Sequence, residues 1–435
     1  MAGIASASAP KLALDDDNAP RGSYAAPLAA LTLLFFMWGF LTCLNDIIIP
    51  HLKGIFELSY AQAMMIQLAF FAAYFIVSLP AGALVKGLGY KPGIVLGLVV
   101  AAAGCSLFLP AAGARSYPLF LAALFVLASG ITLLQVAANP FVAALGRAET
   151  ASARLTLTQA FNALGTTLAP LFGSLAILST EIKSKAELSS MSTRAAEAYR
   201  VAEAASVQKP YLGLTIALLS LAVAMAAFRL PKLQASNHAP LRADAQLDAR
   251  PSAWAHRHLL LGALAIFLYV GGEVSIGSFL VNFLAEPSIG GLTAAEGAKL
   301  VSFYWGGAML GRFVGTFTLR AFEPSKVLSW HAFGALALIV LTMATSGKLA
   351  MYSILAVGLF NSILFPTIFA LSIAGLGKHT EQGSGIVCMA IVGGALVPVL
   401  QGLVADAIGI HHCFVVAAAC YAYVVWYGAR GSTPS

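Results

Sequence analysis

The sequence has few charged residues for its length. Only 10% of its 435 residues are Asp, Glu, Lys or Arg, whereas 59% are hydrophobic and the mean hydropathy is +0.85. Soluble domains carry about a quarter charged residues. Apolar runs of roughly 20 residues cross the hydrocarbon of a membrane as helices, because every backbone polar group must be satisfied internally there. The composition therefore excludes an ordinary soluble protein and predicts an all-α integral membrane protein.

Cysteine and catalytic motifs are also scarce. The five cysteines lie in apolar segments and none forms a CxxC pair, so we interpret them as small buried residues rather than disulfides or metal ligands. The sequence contains no HExxH or GxSxG motif and no His/Asp cluster at a membrane face. We therefore expect no enzyme and no cofactor. The net charge of +7 is attributed to membrane topology rather than to nucleic-acid binding.

Apolar runs separated by polar breaks predict twelve membrane-spanning helices. Lys and Arg concentrate in the loops that would share a side with the N-terminus, which predicts that both termini are cytoplasmic. The loop 180–209 is an exception, because its basic residues are offset by acidic ones. The predicted extents are 26–52, 62–86, 92–114, 117–146, 152–179, 210–229, 258–285, 295–321, 326–346, 350–377, 382–408 and 412–430.

A polar, proline-containing stretch from Leu230 to His258 divides the chain into two sets of six spans. We therefore predict a cytoplasmic tail at 1–25, an N-terminal six-helix half at 26–229, a cytoplasmic linker at 230–257 and a C-terminal six-helix half at 258–430.

The two halves contain similar short segments. Residues 163–170 and 135–141 recur in the second half at offsets of 228 and 226, and an offset of 227 places Glu273 opposite Asp46. Duplicated halves related by an axis along the membrane normal, with a substrate site between them, are typical of secondary transporters.

Asp46 and Glu273 are the two carboxyl groups deep inside long apolar spans. A charged Asp at the centre of a spanning helix costs roughly 2.5–3.5 kcal/mol, so such residues are functional by default. We predict that both take part in cation coupling. Hydrogen bonding between neighbouring helices is the alternative role for each.

Several spans carry polar or aromatic residues at helical spacing. Amide side chains suit polar ligands because each offers both donors and acceptors to hydroxyl groups, and aromatic faces can pack on the apolar face of a ligand ring. The predicted substrate-binding residues are Trp38, Asn45, Gln135, Asn139, Gln159, Asn162, Tyr269 and Asn361.

Two sets of motifs resemble a known family. The segment GALVKGLGYKPG, at 82–93, resembles the loop between the second and third spans of the major facilitator superfamily, with Lys86 where the family usually has an acid. The segments WGFLTCLNDIIIPHLK, VAANPFVAALG, LTQAFNALGTTLAP, YVGGEVSIGSFLVNF and LFPTIFALSIAGLG resemble signature segments of its L-fucose:proton symporter family, a branch that includes bacterial glucose/galactose transporters.

The resemblance implies the major facilitator fold, with twelve transmembrane helices in two pseudo-symmetric six-helix halves. It also implies a bacterial inner-membrane location and cation-driven monosaccharide uptake. Asp46 matches the family's first-helix acid, which is implicated in proton coupling, while Gln159 and Asn162 match fifth-helix residues that face the sugar. Fucose transporters place a glutamate where this chain has Gln135, which makes Glu273 the candidate for a second acid.

Several functions remain open from the sequence. The first is a proton-coupled sugar symporter, and the second is a sodium-coupled one. An uncoupled facilitator, a polytopic membrane enzyme and a structural adaptor fit the mid-span carboxyl groups less well. The expected partners are a sugar and membrane lipids, with no nucleic acid, and the chain is expected to act as a monomer. The sequence does not identify the sugar.

Overall fold

The structure is a computed structural model that describes residues 24–56, 60–114, 116–176, 208–228, 230–231 and 252–434, with a few positions between 191 and 199. Side chains at 41–65, 67, 170–176, 294–295 and 298 are outside the description. Across the described ranges the chain is helical and contains no strand.

Fourteen α-helices in these ranges build the twelve spans. Helices α1 to α9 form one span each, α10 with α11 forms span ten, α12 with α13 forms span eleven, and α14 begins span twelve. They are α1 Ala25–Phe56, α2 Tyr60–Leu88, α3 Tyr90–Ala114, α4 Tyr117–Ala144, α5 Ala151–Ala176, α6 Gln208–Ala227, α7 Arg257–Ala285, α8 Ala294–Ala321, α9 Pro324–Ala344, α10 Gly347–Asn361, α11 Leu364–Ser372, α12 Thr380–Met389, α13 Gly393–Ile408 and α14 Val415–Trp426.

The observed spans agree with the predicted ones to within a few residues at most ends, which confirms the twelve-helix fold. Length and apolar composition alone mark eight helical segments of the described residues as able to cross a membrane. Helix α8 is less apolar than these because it carries Glu296, Lys299, Arg312 and Arg320. The sequence analysis did not predict that span ten breaks after Asn361 and that span eleven passes through a 3-10 turn at Ala390–Val392.

The helices pack in two groups. In the first, α3 packs against α4 and α6, α1 against α5, and α2 against α4; in the second, α7 packs against α13 and α14, while α10 packs against α8 and α9. Close approach depends on small residues: a Cβ added at Gly104 would overlap the backbone of Leu127, and one at Gly130 would overlap that of Ala101. Small residues at such crossings allow helix backbones to touch in the absence of a hydrophobic driving force in lipid.

The two groups meet mainly along α2–α12, α4–α12, α5–α8 and α5–α11. We call the end of the bundle that carries the turn at Gly89, between α2 and α3, the Gly89 end. Near it, a Cβ at Gly82 would lie 2.9 Å from the backbone oxygen of Glu381, and one at Gly385 would lie 2.7 Å from that of Ser78. The described contacts therefore close the seam between α2 and α12 toward the Gly89 end.

The register of the repeat varies along the first span of each half. Helix α1 begins at Ala25, and α7 begins at Arg257, 232 positions later, whereas their last residues, Phe56 and Ala285, lie 229 positions apart. The two helices therefore differ in length, and the pairing of Asp46 with Glu273 at offset 227 stays a prediction.

Candidate functional site

Span ten is broken in its middle, and proline explains where. Pro366 has no N–H to donate to the carbonyl of Ser362, and its ring would collide with that carbonyl in a continuous helix. Helix α10 ends at Asn361 and α11 begins at Leu364, so Pro366 falls in the first turn of a new helix. In a first turn a missing N–H leaves no helical hydrogen bond unmade.

Side chains from three other helices form hydrogen bonds with the backbone carbonyl groups at this break. His331 Nδ1 lies 3.3 Å from the oxygen of Phe360. The Tyr269 hydroxyl lies 3.0 Å from the oxygen of Asn361, and Arg312 Nε donates to the oxygen of Ser362 at 3.2 Å. Broken helices at membrane depth are tolerated where the freed backbone groups find partners in the protein, and here the partners come from α7, α8 and α9.

The side chain of Asn361 is fully buried at this break. Its Nδ2 donates to the Tyr304 hydroxyl at 2.7 Å, and its Oδ1 accepts from the Tyr421 hydroxyl at 2.6 Å. The structure thus places Asn361, a predicted substrate-binding residue, in the interior of the second group of helices with both amide atoms bonded to tyrosines.

Glu273 lies one helical turn after Tyr269 on α7 and is half-buried. Its Oε1 accepts a hydrogen bond from the Tyr269 hydroxyl at 2.8 Å, while its backbone oxygen lies 3.4 Å from the Tyr304 hydroxyl. We call Tyr269, Glu273, Tyr304, Asn361 and Tyr421 the Asn361 cluster. The cluster joins α7, α8, α10 and α14 through polar contacts at mid-span.

Among the described residues, Arg312 is a cation that interacts electrostatically with the Glu273 carboxyl group. Besides its bond to Ser362, its Nη1 lies 3.5 Å from the backbone oxygen of Gln159 on α5. The guanidinium therefore contacts both groups of helices. The Gln159 side chain is buried beside this contact.

Trp38 and Asn162 lie together at the α1–α5 seam. Asn162 Nδ2 donates to the backbone oxygen of Phe35 at 3.0 Å, and the rings of Phe35 and Trp38 have centroids 5.1 Å apart. Trp38 is buried, whereas Asn162 is half-buried. One amide donor of Asn162 thus holds α5 on α1, and its oxygen and second N–H make no hydrogen bond to the described residues.

Gln135 and Asn139 lie one turn apart on α4. Gln135 Nε2 donates to the Tyr74 hydroxyl of α2 at 2.7 Å. Gln135 Oε1 and both amide atoms of Asn139 are buried with no hydrogen-bond partner among the described residues. An unsatisfied buried polar group costs about 1–3 kcal/mol. A polar ligand or a water molecule that bonded these atoms of α4 would therefore remove that cost.

The structure brings together only part of the predicted site. Tyr269, Glu273 and Asn361 form one cluster in the second group of helices. Trp38 and Asn162 lie at the contact between α1 and α5 in the first group. Asn45 and Asp46 belong to α1, but their side chains lie outside the described residues. Within the part of the chain that the structure describes, no three His, Cys, Asp or Glu side chains form a group able to hold a metal ion.

The sequence analysis missed several residues of this network, among them Tyr421 in span twelve and Tyr74 in span two. Both stand in apolar sequence, where Ser78, one turn after Tyr74, is the one polar residue at helical spacing. Their partners come from distant helices, so only tertiary packing reveals their roles.

Two groups of six spans, with a broken span and a polar network at mid-span, define a multi-pass membrane transporter. The Major Facilitator Superfamily matches residues 28–390 of this sequence. The chain belongs to the Major Facilitator Superfamily.

Named relatives are similar over most of their length. The "Glucose/galactose transporter" of Brucella abortus biovar 1 (strain 9-941) is 55% identical over 419 residues, covering 96% of this chain and 97% of that protein. The "L-fucose-proton symporter" of Escherichia coli (strain K12) is 38% identical over 415 residues, covering 95% and 94%. These similarities confirm the family resemblance, and both names describe transporters rather than enzymes.

A solved structure supports the fold. A crystal structure of the Major Facilitator Superfamily transporter FucP, described as being in the outward conformation, matches with a TM-score of 0.86 and 37% sequence identity. The match covers 94% of this chain and all of that one.

Proposed function

We propose that this protein is a secondary active transporter that imports a monosaccharide together with a proton by alternating access. One observation carries the proposal: a half-buried carboxyl group, Glu273, is hydrogen-bonded inside the Asn361 cluster at mid-span. The names of the two curated relatives support the substrate class and the coupling ion.

The coupling role rests on the cost of charge in a membrane. An ionisable side chain within a span is expensive and is kept where it performs a task. Glu273 has both a hydroxyl partner, Tyr269, and a cationic neighbour, Arg312, so both its neutral and its ionised form have a stabilising contact. Asp46 is proposed as the first coupling carboxyl group on the basis of sequence.

The sugar is proposed to bind between the halves. Amide and aromatic side chains would supply hydrogen bonds and a stacking surface. The unpartnered atoms of Gln135 and Asn139 favour a polar ligand or water beside α4. The proposed binding residues are Trp38, Asn45, Gln135, Asn139, Gln159, Asn162, Tyr269 and Asn361.

Alternating access would move the half at 26–229 against the half at 258–430, with the linker at 230–257 between them. We infer that the Gly89 end faces the cytoplasm, since Lys86, Lys91 and Arg147 lie there. The tail at 1–25 and the C-terminus would share that side of a bacterial inner membrane. The closed seam at this end then corresponds to a state whose cavity opens to the outside. The proposed transport cycle needs only a single chain in a lipid bilayer.

Counterflow into proteoliposomes with a panel of labelled monosaccharides tests the proposal. Uphill accumulation should require an inward proton gradient and be insensitive to sodium. Glu273→Gln should retain sugar exchange and lose accumulation, because a permanently neutral side chain cannot complete a proton cycle.

Two outcomes would refute parts of the proposal. Accumulation driven by a sodium gradient at fixed pH would replace the proton by sodium. Accumulation by Glu273→Gln at the wild-type level, with matched expression, would remove Glu273 from the coupling mechanism.

A further inference from the structure

The hydroxyl group of Tyr269 has two acceptors and one proton. It lies 2.8 Å from Glu273 Oε1 and 3.0 Å from the backbone oxygen of Asn361. Tyr269 is fully buried, and its ring stands edge-on to that of Tyr421. A single phenolic proton can make a strong bond to only one of these acceptors at a time.

The protonation state of Glu273 decides which acceptor receives that proton. An ionised carboxylate is the stronger acceptor, because charge-assisted hydrogen bonds are roughly twice as strong as neutral ones, so it takes the Tyr269 proton. A protonated Glu273 instead donates its own proton to the Tyr269 oxygen, which frees the phenolic proton for Asn361. The proton gained by the pair stays on Glu273, and the phenol only changes its acceptor.

The acceptor that gains or loses this bond is the end of a helix. Asn361 is the last residue of α10, at the break that Pro366 causes in span ten. The next carbonyl, that of Ser362, is bonded to Arg312, which also reaches Gln159 in the other half. The hydrogen bond that Asn361 gains or loses is therefore next to Ser362, which is bonded to Arg312 at the contact between the halves. It is also two residues before Ile363, which lies between α10 and α11.

We propose that Tyr269 is a positioning residue that transmits the protonation state of Glu273 to the break in span ten. The inference rests on the proposed coupling role of Glu273. Of the described residues, the titratable or charged groups that interact with this carboxyl group are Tyr269 on its own helix, Tyr304 and Arg312 on α8, and Tyr421 on α14.

The other two tyrosines supply an internal comparison. Tyr304 and Tyr421 bond the side chain of Asn361, and the Tyr421 hydroxyl bonds Asn361 rather than Glu273. Removing the Tyr421 hydroxyl would therefore loosen the same asparagine without cutting the link to the carboxyl group.

Tyr269→Phe tests the inference, with Tyr421→Phe as the matched control. Both changes keep the ring and remove one buried hydroxyl. Whatever its sugar affinity, we expect Tyr269→Phe to lose the pH dependence of that affinity and to lower the measured proton-to-sugar ratio. Tyr421→Phe should slow transport or lower stability but keep the wild-type pH profile and ratio.

The outcomes separate this inference from the proposed function. If Tyr269→Phe keeps the wild-type pH profile and proton-to-sugar ratio while Glu273→Gln is uncoupled, the inference is overturned and the coupling role of Glu273 stands. If Glu273→Gln accumulates sugar normally, the proposed coupling role of Glu273 is refuted, and the inference that rests on it is refuted as well.

A second measurement avoids the Tyr269 variant in case that variant does not fold. Hydrogen exchange of the peptide covering 360–368, corrected for the intrinsic effect of pH, should be slower in acid than in base for the wild-type protein, because acid restores the bond to Asn361. Glu273→Gln should show no such change. Equal protection of the wild-type peptide at both pH values would contradict the proposal.

Discussion

Arg312 of α8 approaches the backbone oxygen of Gln159 of α5, with Nη1 3.5 Å from that oxygen, and thereby connects the two halves of the transporter. The same guanidinium donates to the Ser362 oxygen, for which Pro366 removes the helical donor. One cation thus stabilises both the break in span ten and the contact between the halves.

Arg312→Met should weaken this connection. The change removes the 3.5 Å contact with the Gln159 oxygen, so the arrangement closed at the Gly89 end should become less populated relative to its alternative. Cys388 is a suitable reporter, because it is buried on α12 and interacts with Tyr74 of α2 across the seam.

The measurement is the rate of maleimide labelling at Cys388 in a protein whose other four cysteines are replaced by alanine. Arg312→Met should label faster than the same background with Arg312 intact. Equal rates would mean that the guanidinium does not hold the halves together.

Gly385→Ala should also open the seam. The new Cβ would lie 2.7 Å from the Ser78 backbone oxygen, too close for α12 and α2 to keep their separation, so Cys388 should label faster. Gly87→Ala is the matched control, because a Cβ there meets nothing within 4 Å. A Gly385→Ala protein that labels like the Gly87→Ala protein would show that the helices absorb the methyl group without separating.

The sequence predicts features that depend on local composition and misses those that depend on tertiary packing. The spans follow from the length of apolar runs, and a carboxyl group inside a span stands out because it is costly there, so the fold and the mid-span position of Glu273 could be predicted. Pro366 is visible in the sequence, but Tyr269, Arg312 and His331, which make the break tolerable, come from other helices. The pairing of Asp46 with Glu273 stays a prediction, because the first helices of the two halves begin 232 positions apart and end 229 positions apart.

Asp46→Asn should abolish uphill accumulation and leave some sugar exchange. A permanently neutral amide mimics the loaded carboxyl group and cannot release a proton on the other side of the membrane. Counterflow and gradient-driven uptake in the same proteoliposomes separate the two activities. Wild-type accumulation by this variant would show that the first span does not couple the proton.

Gln159→Ala and Asn162→Ala should each weaken sugar binding by roughly 1–3 kcal/mol, the cost of leaving a polar partner unsatisfied. The structure adds a difference between them. Asn162 also donates to the Phe35 oxygen, so its removal should lower the melting temperature as well, because α5 loses a bond to α1.

Isothermal titration and thermal unfolding of both variants give these two quantities. The proton-to-sugar ratio should not change in either. Unaltered affinity in both variants would place the pair outside the sugar site, whatever the melting temperatures show.

Gln135 gives the sharpest comparison with the fucose transporters, which the family resemblance implies carry a glutamate at this position. Its Nε2 donates to the Tyr74 hydroxyl, and its Oε1 is buried without a partner among the described residues. Gln135→Ala leaves the Tyr74 hydroxyl without this bond and removes a candidate sugar contact, so it should mainly raise the apparent KM and leave coupling intact.

Gln135→Glu should act differently, because the Tyr74 hydroxyl can rotate and donate to a carboxylate. The protein would then hold a second protonatable group near α4, and the pH dependence of uptake should change while the sugar still binds. Transport assays of both variants and of Glu273→Gln, matched for expression, decide between the two schemes. If Gln135→Ala loses coupling while Glu273→Gln transports normally, coupling depends on the fourth span as in the family pattern, and the assignment to Glu273 is wrong.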